Sequence, residues 1–454
     1  MKILVTISII ILLFLMYSCN VELENYGEMS KASIIIYPQD DSKNIPTIPK
    51  FIYITLSKTT EIYIADNKED LKYPIKSDSV IKIGPVENNE DPHECNILTS
   101  PKRLKSNTTY YWRYVNIEES NARYVSEIYK FTTVNTIINA TLITNQKAGI
   151  TTNDLIYTIN DCSVSIYTEA LEKVAEFSLS SSMDKIIYFD GSILIGISGP
   201  SIVAISISEN KLMWYYTMEF SNGSNIIMYR DKEFLMVMPN EELYDSENLN
   251  TVVLLTFSVN GEFNKTELKL SSYFNYYDSI HIYTKDDKIY LIISSEESNS
   301  SIVATISKEN LSKISEKTVD AIYMADSFFI DFFKGDMYTL SDDLSLKYMG
   351  KHENLVYGDY VPDSVYLFSC IETSDGSFVC YGKNDPFNIF AILSNQKISK
   401  MEVLSKSTES QYNYDFHSPK IIKVLPNGKI IFIFKDSNIW EIFSITDPSI
   451  TGGD

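Results

Sequence analysis

Histidine and paired carboxylates are the residues in this chain with most scope for chemistry. The four histidines, His93, His281, His352 and His417, are scattered, and no short ligand spacing joins them. His281 alternates with apolar neighbours in Ile280-His281-Ile282-Tyr283, the pattern of a strand residue. The acidic pairs Asp286-Asp287 and Asp342-Asp343 fall where hairpin turns belong. They lack the interleaved oxygen ligands and the glycine of a calcium loop. The sequence contains neither a glycine-rich phosphate loop nor a strained nucleophile turn. With no converging acid, base and nucleophile, no catalytic residue, metal site or cofactor is expected.

Cysteine and aromatic residues say more. Of five cysteines, Cys370 and Cys380 flank a turn at Ser374-Asp375-Gly376. A three-residue hairpin loop ending in a left-handed glycine pairs Thr373 with Ser377, and Cys370 with Cys380 three steps further out. In an oxidising compartment such a pair can be a disulfide or two buried thiols. Two aromatic clusters each precede an apolar run: Tyr273, Tyr276 and Tyr277, then Tyr412, Tyr414 and Phe416. They are either a ligand-binding face or wedges in the core. The formal net charge of −21 removes any electrostatic case for binding nucleic acid or anionic lipid head groups.

The N-terminus indicates a compartment. Lys2 precedes an apolar run from Ile3 to Tyr17, broken only by Thr6 and Ser8. A charged start, a short apolar core and the small Ser18 are signal-peptide features. The run is shorter than the 20 or so residues of a comfortable membrane span. Met16-Tyr17-Ser18-Cys19 resembles the lipobox of bacterial lipoproteins, although Met16 and Tyr17 depart from its usual leucine and small residue. The resemblance implies a signal peptide over 1–18, lipid attachment at Cys19 and a polar tether over 19–30. The protein is then expected in the cell envelope, anchored to the inner or outer membrane.

The elements that position these residues read as strands. Short apolar or alternating runs are punctuated by Asp-Gly and Asn-Gly, as in Lys185 to Ser198 and Lys423 to Phe434. That is an all-β pattern. Residues 31–134 carry Leu104, then Thr108-Thr109-Tyr110-Tyr111-Trp112-Arg113, and close on Phe131-Thr132-Thr133. This segment resembles a bacterial fibronectin type III domain. The resemblance implies a sandwich in which the Tyr110 hydroxyl pins the preceding loop. Phe51 or Tyr53 would replace the family's early tryptophan, and Trp112 would be packed core.

Residues 137–446 contain internal repeats. Ser201-Ile202-Val203-Ala204-Ile205-Ser206 nearly recurs as Ser301-Ile302-Val303-Ala304-Thr305-Ile306. Weaker copies lie at 164–167, 254–258, 337–341, 389–393 and 439–444. Units of about 44 residues suit four-stranded propeller blades, so a β-propeller of about seven blades is expected, with 447–454 as a C-terminal tail. Ala204 to Trp214 resembles the pyrroloquinoline-quinone-type repeat, with Asn210 at the glycine of its turn. That resemblance implies the propeller shape and no quinone.

These readings imply a non-enzymatic, lipid-anchored binding or scaffolding protein with a protein or glycan partner. A cell-surface propeller enzyme acting on glycans or peptides and a host-facing adhesin are the alternatives. A carboxylate pair in the propeller's central channel would mark the enzyme.

Overall fold

The computed structural model describes residues 33–75, 78–89, 95–179, 181–218, 226–239, 249–275, 278–325, 328–351, 365–373, 375–384, 386–407, 420–425, 428–436 and 439–450. The chain divides into two compact units, Met1–Asn135 and Thr136–Asp454. Among the described residues, no helix is long and apolar enough to cross a membrane.

The first unit contains Ile34–Tyr37 (β1), Ser42–Ile45 (β2), Lys50–Ile54 (β3), Thr59–Ala65 (β4), Ile81–Glu87 (β5), Asn96–Thr99 (β6), Thr109–Ile117 (β7), Arg123–Val125 (β8) and Tyr129–Thr133 (β9). One sheet has the order β1-β3-β6, the other β2-β9-β7-β4-β5, and β8 adds to β7. The chain changes sheets between β1 and β2, where Asp41 takes a positive φ of 63°. Asp tolerates this conformation better than most residues. β2 then runs parallel to β9. Alternation over the first six residues of β7 turns Tyr110, Trp112 and Tyr114 inward. Phe51 of the other sheet meets Trp112 with ring centroids 4.9 Å apart, and this buried pair bridges the two sheets. The Tyr110 hydroxyl accepts a hydrogen bond from Lys105 N at 3.1 Å. It ties the loop before β7 back onto that strand.

The second unit opens with Ile137–Thr144 (β10) and continues as four-stranded antiparallel sheets. Blade 1 is Lys147–Ile150, Ile156–Asn160, Ser163–Tyr167 and Lys173–Ser178 (β11–β14). Blade 2 is Lys185–Phe189, Ile193–Ser198, Ser201–Ser206 and Lys211–Thr217 (β15–β18). Blade 3 is Ile226–Arg230, Glu233–Pro239, Leu249–Ser258 and Phe263–Phe274 (β19–β22). Blade 4 is Ser279–Lys285, Lys288–Ser295, Ser300–Ser307 and Lys313–Val319 (β23–β26). Blade 5 is Ile322–Ala325, Phe328–Asp331, Asp336–Leu340 and Leu346–Lys351 (β27–β30). Blade 6 is Val365–Glu372, Phe378–Asn384, Phe387–Ser394 and Lys397–Lys406 (β31–β34). Blade 7 is Lys420–Val424, Lys429–Asp436 and Ile439–Thr446 (β35–β37), completed on its outer edge by β10.

Seven apolar clusters join consecutive blades, and one of them packs blade 7 against blade 1 through Trp440, Ile442, Ala148 and Ile156. The ring is therefore closed, and the second unit is a seven-bladed β-propeller. First strands of neighbouring blades approach one another, as β11 does β15 and β31 does β35, so they lie innermost. Third strands such as β25 are buried along nearly their whole length, because a blade packs against both faces. This double burial produces their continuous apolar runs. Each repeat read from the sequence lies on the third strand of a blade: β13, β17, β21, β25, β29, β33 and β37.

The turns between third and fourth strands place a left-handed residue at Leu171, Asn210, Gly261, Leu311 and Leu344. Leu344 packs into the cluster between blades 4 and 5, and Leu171 into that between blades 7 and 1. At Gly261 the space is filled by Trp214 of blade 2, whose Nε1 donates to Val259 O at 2.9 Å. A Cβ on Gly261 would stand 2.8 Å from the indole Cγ.

The start of the expected C-terminal tail belongs to the propeller. Asp447 is buried and accepts hydrogen bonds from Lys400 Nζ at 2.6 and 2.8 Å and from Thr136 Oγ1 at 2.6 Å. Ile450 is also buried, in the cluster between blades 6 and 7. Burial of these two side chains holds the segment after β37 in place.

Candidate functional site

A cavity of about 450 Å³ opens where blade 3 meets blade 4, within the size range of small ligand sites. The end of β22 forms one wall. Leu249 faces Phe274 while Thr251 faces Lys269, so Leu270–Tyr273 bulge out of the ladder. The Glu316 carboxylate on β26 accepts the freed backbone donors, Ser271 N at 2.7 Å and Ser272 N at 2.7 Å, together with Lys313 Nζ at 2.7 Å. Burial pushes this carboxyl up, but Lys313 and the two N–H groups outweigh it and hold the group at about 2. It is therefore ionised throughout the physiological range. The fixed bulge lifts Tyr273 to 64% exposure.

The rest of the cavity comes from blade 4. Ile293 of β24 and Ile302 of β25 line its apolar part, and Ser295, Glu297, Ser298 and Ser300 follow the hairpin that joins those strands. Asp278 lies just before β23 and accepts from Asn275 N at 2.8 Å. Burial, reinforced by the charge of Glu297, pushes the Asp278 carboxyl above the usual carboxylate range. Among the described residues, none that lines the cavity is basic. The chemistry on offer is an aromatic flank, an apolar patch, several hydroxyls and two uncompensated carboxylates.

The blade 5 hairpin between β28 and β29 stands beside this rim. Asn299 donates to Asp331 Oδ1 at 3.0 Å and accepts from Phe332 N at 3.2 Å. Asp331, itself buried, also accepts from Phe333 N at 3.0 Å and pairs with Lys334 at 2.8 Å. Phe333 is 81% exposed on this braced turn. Gly335 marks a turn in the local pattern, but the apolar Phe332-Phe333 ahead of it reads as the continuation of a core strand, so sequence reasoning passed over the tip.

Of the residues singled out in the sequence, the structure places Tyr273 in the cavity wall. Cys19, Tyr276, Tyr277, Tyr412, Tyr414 and Phe416 lie outside the described residues, as do His93, His352 and His417. Cys370 and Cys380 are directly opposed on β31 and β32, and both are buried free thiols. Thr373 N donates to Ser377 O at 2.9 Å and Gly376 has φ 78°, which is the geometry of a three-residue loop. His281 lies on β23 with its ring 4.8 Å from that of Tyr323. Burial lowers its pKa to about 4, so the imidazole is neutral. Trp112 is packed core. No cluster of three or more His, Cys, Asp or Glu among the described residues could hold a metal ion.

A second polar group lies between blades 6 and 7. Asn388 donates to Asp436 Oδ2 at 3.1 Å and to Ser405 Oγ at 3.0 Å, and accepts from the Tyr381 hydroxyl at 2.9 Å. Glu441 is 6% exposed, and its Oε2 has no hydrogen-bond partner. Asp436 and Glu441 come from the second and third strands of blade 7, away from the first strands that ring the axis.

No protein-family model and no curated protein sequence matches the chain. Among solved structures it is similar to Kluyveromyces lactis Hsv2, at 9% identity over 65% of this chain and 91% of that one, with a TM-score of 0.40. It is also similar to a protein of unknown function from Bacteroides caccae, at 11% identity over 62% and 89% with a TM-score of 0.30. A third is BBS1N in complex with ARL6DN, at 7% identity over 69% and 93% with a TM-score of 0.37. These likenesses concern the fold alone; the closed ring of seven blades carries its assignment.

Proposed function

We propose that the chain is a non-enzymatic binding protein of the bacterial cell envelope, lipid-anchored through Cys19, with a fibronectin type III-like first unit and a propeller that holds a protein partner. Two stacked sheets, the Tyr110 hydroxyl on Lys105 N and the Phe51–Trp112 contact support the fibronectin-like reading. The binding reading rests on one observation: exposed Tyr273, beside a cavity, is held on a bulge braced by Glu316. Rigid aromatic anchors at a concave site contribute a large share of interface energy at low entropic cost.

Two measurements test this. A photo-crosslinking residue at position 273 of the full chain in cells should trap a protein, and one at the exposed outer-strand position Ile314 should not. Equal adducts at both sites, or none at 273, overturn the binding face. Cys19→Ala should move the protein out of the detergent phase, because each buried lipid CH₂ contributes roughly 0.8 kcal/mol to anchoring. Continued detergent partitioning overturns the lipid anchor.

A further inference from the structure

We infer that the cavity at the rim of blade 4 receives a cationic side chain, an ammonium or guanidinium on an aliphatic stem, presented by the protein partner. The inference rests on the proposed binding role and specifies its chemistry. Asp278 and Glu297 both supply negative charge to the cavity, one from the connection before β23 and one from the β24–β25 hairpin. Among the described residues, no lysine, arginine or histidine lines the cavity to neutralise them. Three other carboxylates of the propeller have their cation, Glu316 with Lys313, Asp331 with Lys334 and Asp447 with Lys400.

The remaining lining matches the rest of such a side chain. Ile293 and Ile302 offer apolar surface to an aliphatic stem, as Lys and Arg stems commonly pack on apolar surface. The exposed Tyr273 ring flanks the opening, where a cation gains from the ring quadrupole. The Asn275 N–H already occupies one Asp278 oxygen and fixes the carboxylate's orientation. Beyond the rim, the braced Phe333 tip offers a second anchor to the backbone that carries the cation. A free polyamine carries the same ammonium chemistry, so the test must separate it from a peptide.

The assay is fluorescence anisotropy with the full chain in detergent. The probes are a short peptide rich in lysine and arginine, the same peptide with acetyl-lysine and citrulline in their place, and free spermidine as competitor. The basic peptide should bind, and its neutral counterpart at least about tenfold more weakly. Glu297→Lys, at an exposed position, should cost about tenfold or more, because it places a cation in the site. Tyr273→Ala should cost about three- to tenfold and Tyr273→Phe little, since the ring face is retained. Thermal melts of Asp278→Asn and Glu297→Lys separate lost binding from lost folding. Equal binding of the neutral peptide, or unchanged affinity in folded Glu297→Lys, overturns the cationic assignment. Spermidine binding with the peptide's affinity and the same variant losses overturns the peptide source. In either case crosslinks from position 273 still report on the binding face separately.

Discussion

Asp447→Asn tests whether a single buried carboxylate holds the propeller ring closed. Asp447 follows β37, Thr136 precedes β10 and Lys400 lies on β34, so the carboxylate ties both ends of the propeller chain to the fourth strand of blade 6. It takes five donations: Lys400 Nζ at 2.6 and 2.8 Å, Thr136 Oγ1 at 2.6 Å, Ser449 N at 2.9 Å and Ser449 Oγ at 2.5 Å. The Lys400 and Asp447 side chains are 8% and 0% exposed. Neutralising the carboxylate leaves a buried ammonium uncompensated, a change that typically costs about 3–5 kcal/mol. Asp447→Asn should therefore lower the stability of the second unit by about that amount. Lys400→Met together with Asp447→Asn should cost less than the sum of the two single changes. Urea titration followed by tryptophan fluorescence gives the energies, and hydrogen exchange should show β10 deprotected first. The pH dependence has a definite sign. The Asp447 carboxyl is held below its usual range: burial pushes it up, but Lys400 and the hydroxyl donors outweigh that. Its stabilisation is thus present above the unfolded value of about 3.9 and is lost as pH falls through the lower folded value. A change below about 1 kcal/mol with β10 still protected would refute the clasp, because it would match a solvent-exposed pair.

Glu441 should behave in the opposite sense. Burial, then the Asp436 charge, raises its carboxyl, so its contribution is present below the unfolded pKa and lost as pH rises through the folded one. Glu441→Gln should therefore stabilise the protein at neutral pH and make little difference near pH 4, as thermal melts across pH can check. Cys370 and Cys380 form a non-hydrogen-bonded pair by the alternation from Thr373–Ser377, the type whose Cα atoms lie about 4.5 Å apart. That spacing admits a disulfide. In the reduced native protein both should alkylate far more slowly than exposed Cys95, because they are buried and burial raises the Cys370 thiol; equal rates would refute this. Gly261→Ala should destabilise by more than the roughly 1–2 kcal/mol of a left-handed alanine, because its Cβ meets Trp214. Denaturant titration should find the change less costly in a Trp214→Ala background.

The sequence by itself determined the blades. Third strands buried on both faces must be continuously apolar, so β13, β17, β21, β25, β29, β33 and β37 were legible as repeats. The Cys370–Cys380 register followed from one glycine, because hairpin geometry is local. Asn210 was legible as the left-handed turn residue, but Leu171, Leu311 and Leu344 were not. A leucine in that conformation is repaid only by packing into a cluster the neighbouring blade helps to build. At the candidate site, the spacing of aromatics drew attention to Tyr273 but carried no sign of the bulge or of Glu316, which lies on the next blade. Only the tertiary structure decided how the ring closes. Thr136 and Asp447 are 311 residues apart in sequence. Periodicity reports which face of a strand is buried; it cannot report which polar group will be waiting there once the ring has come round.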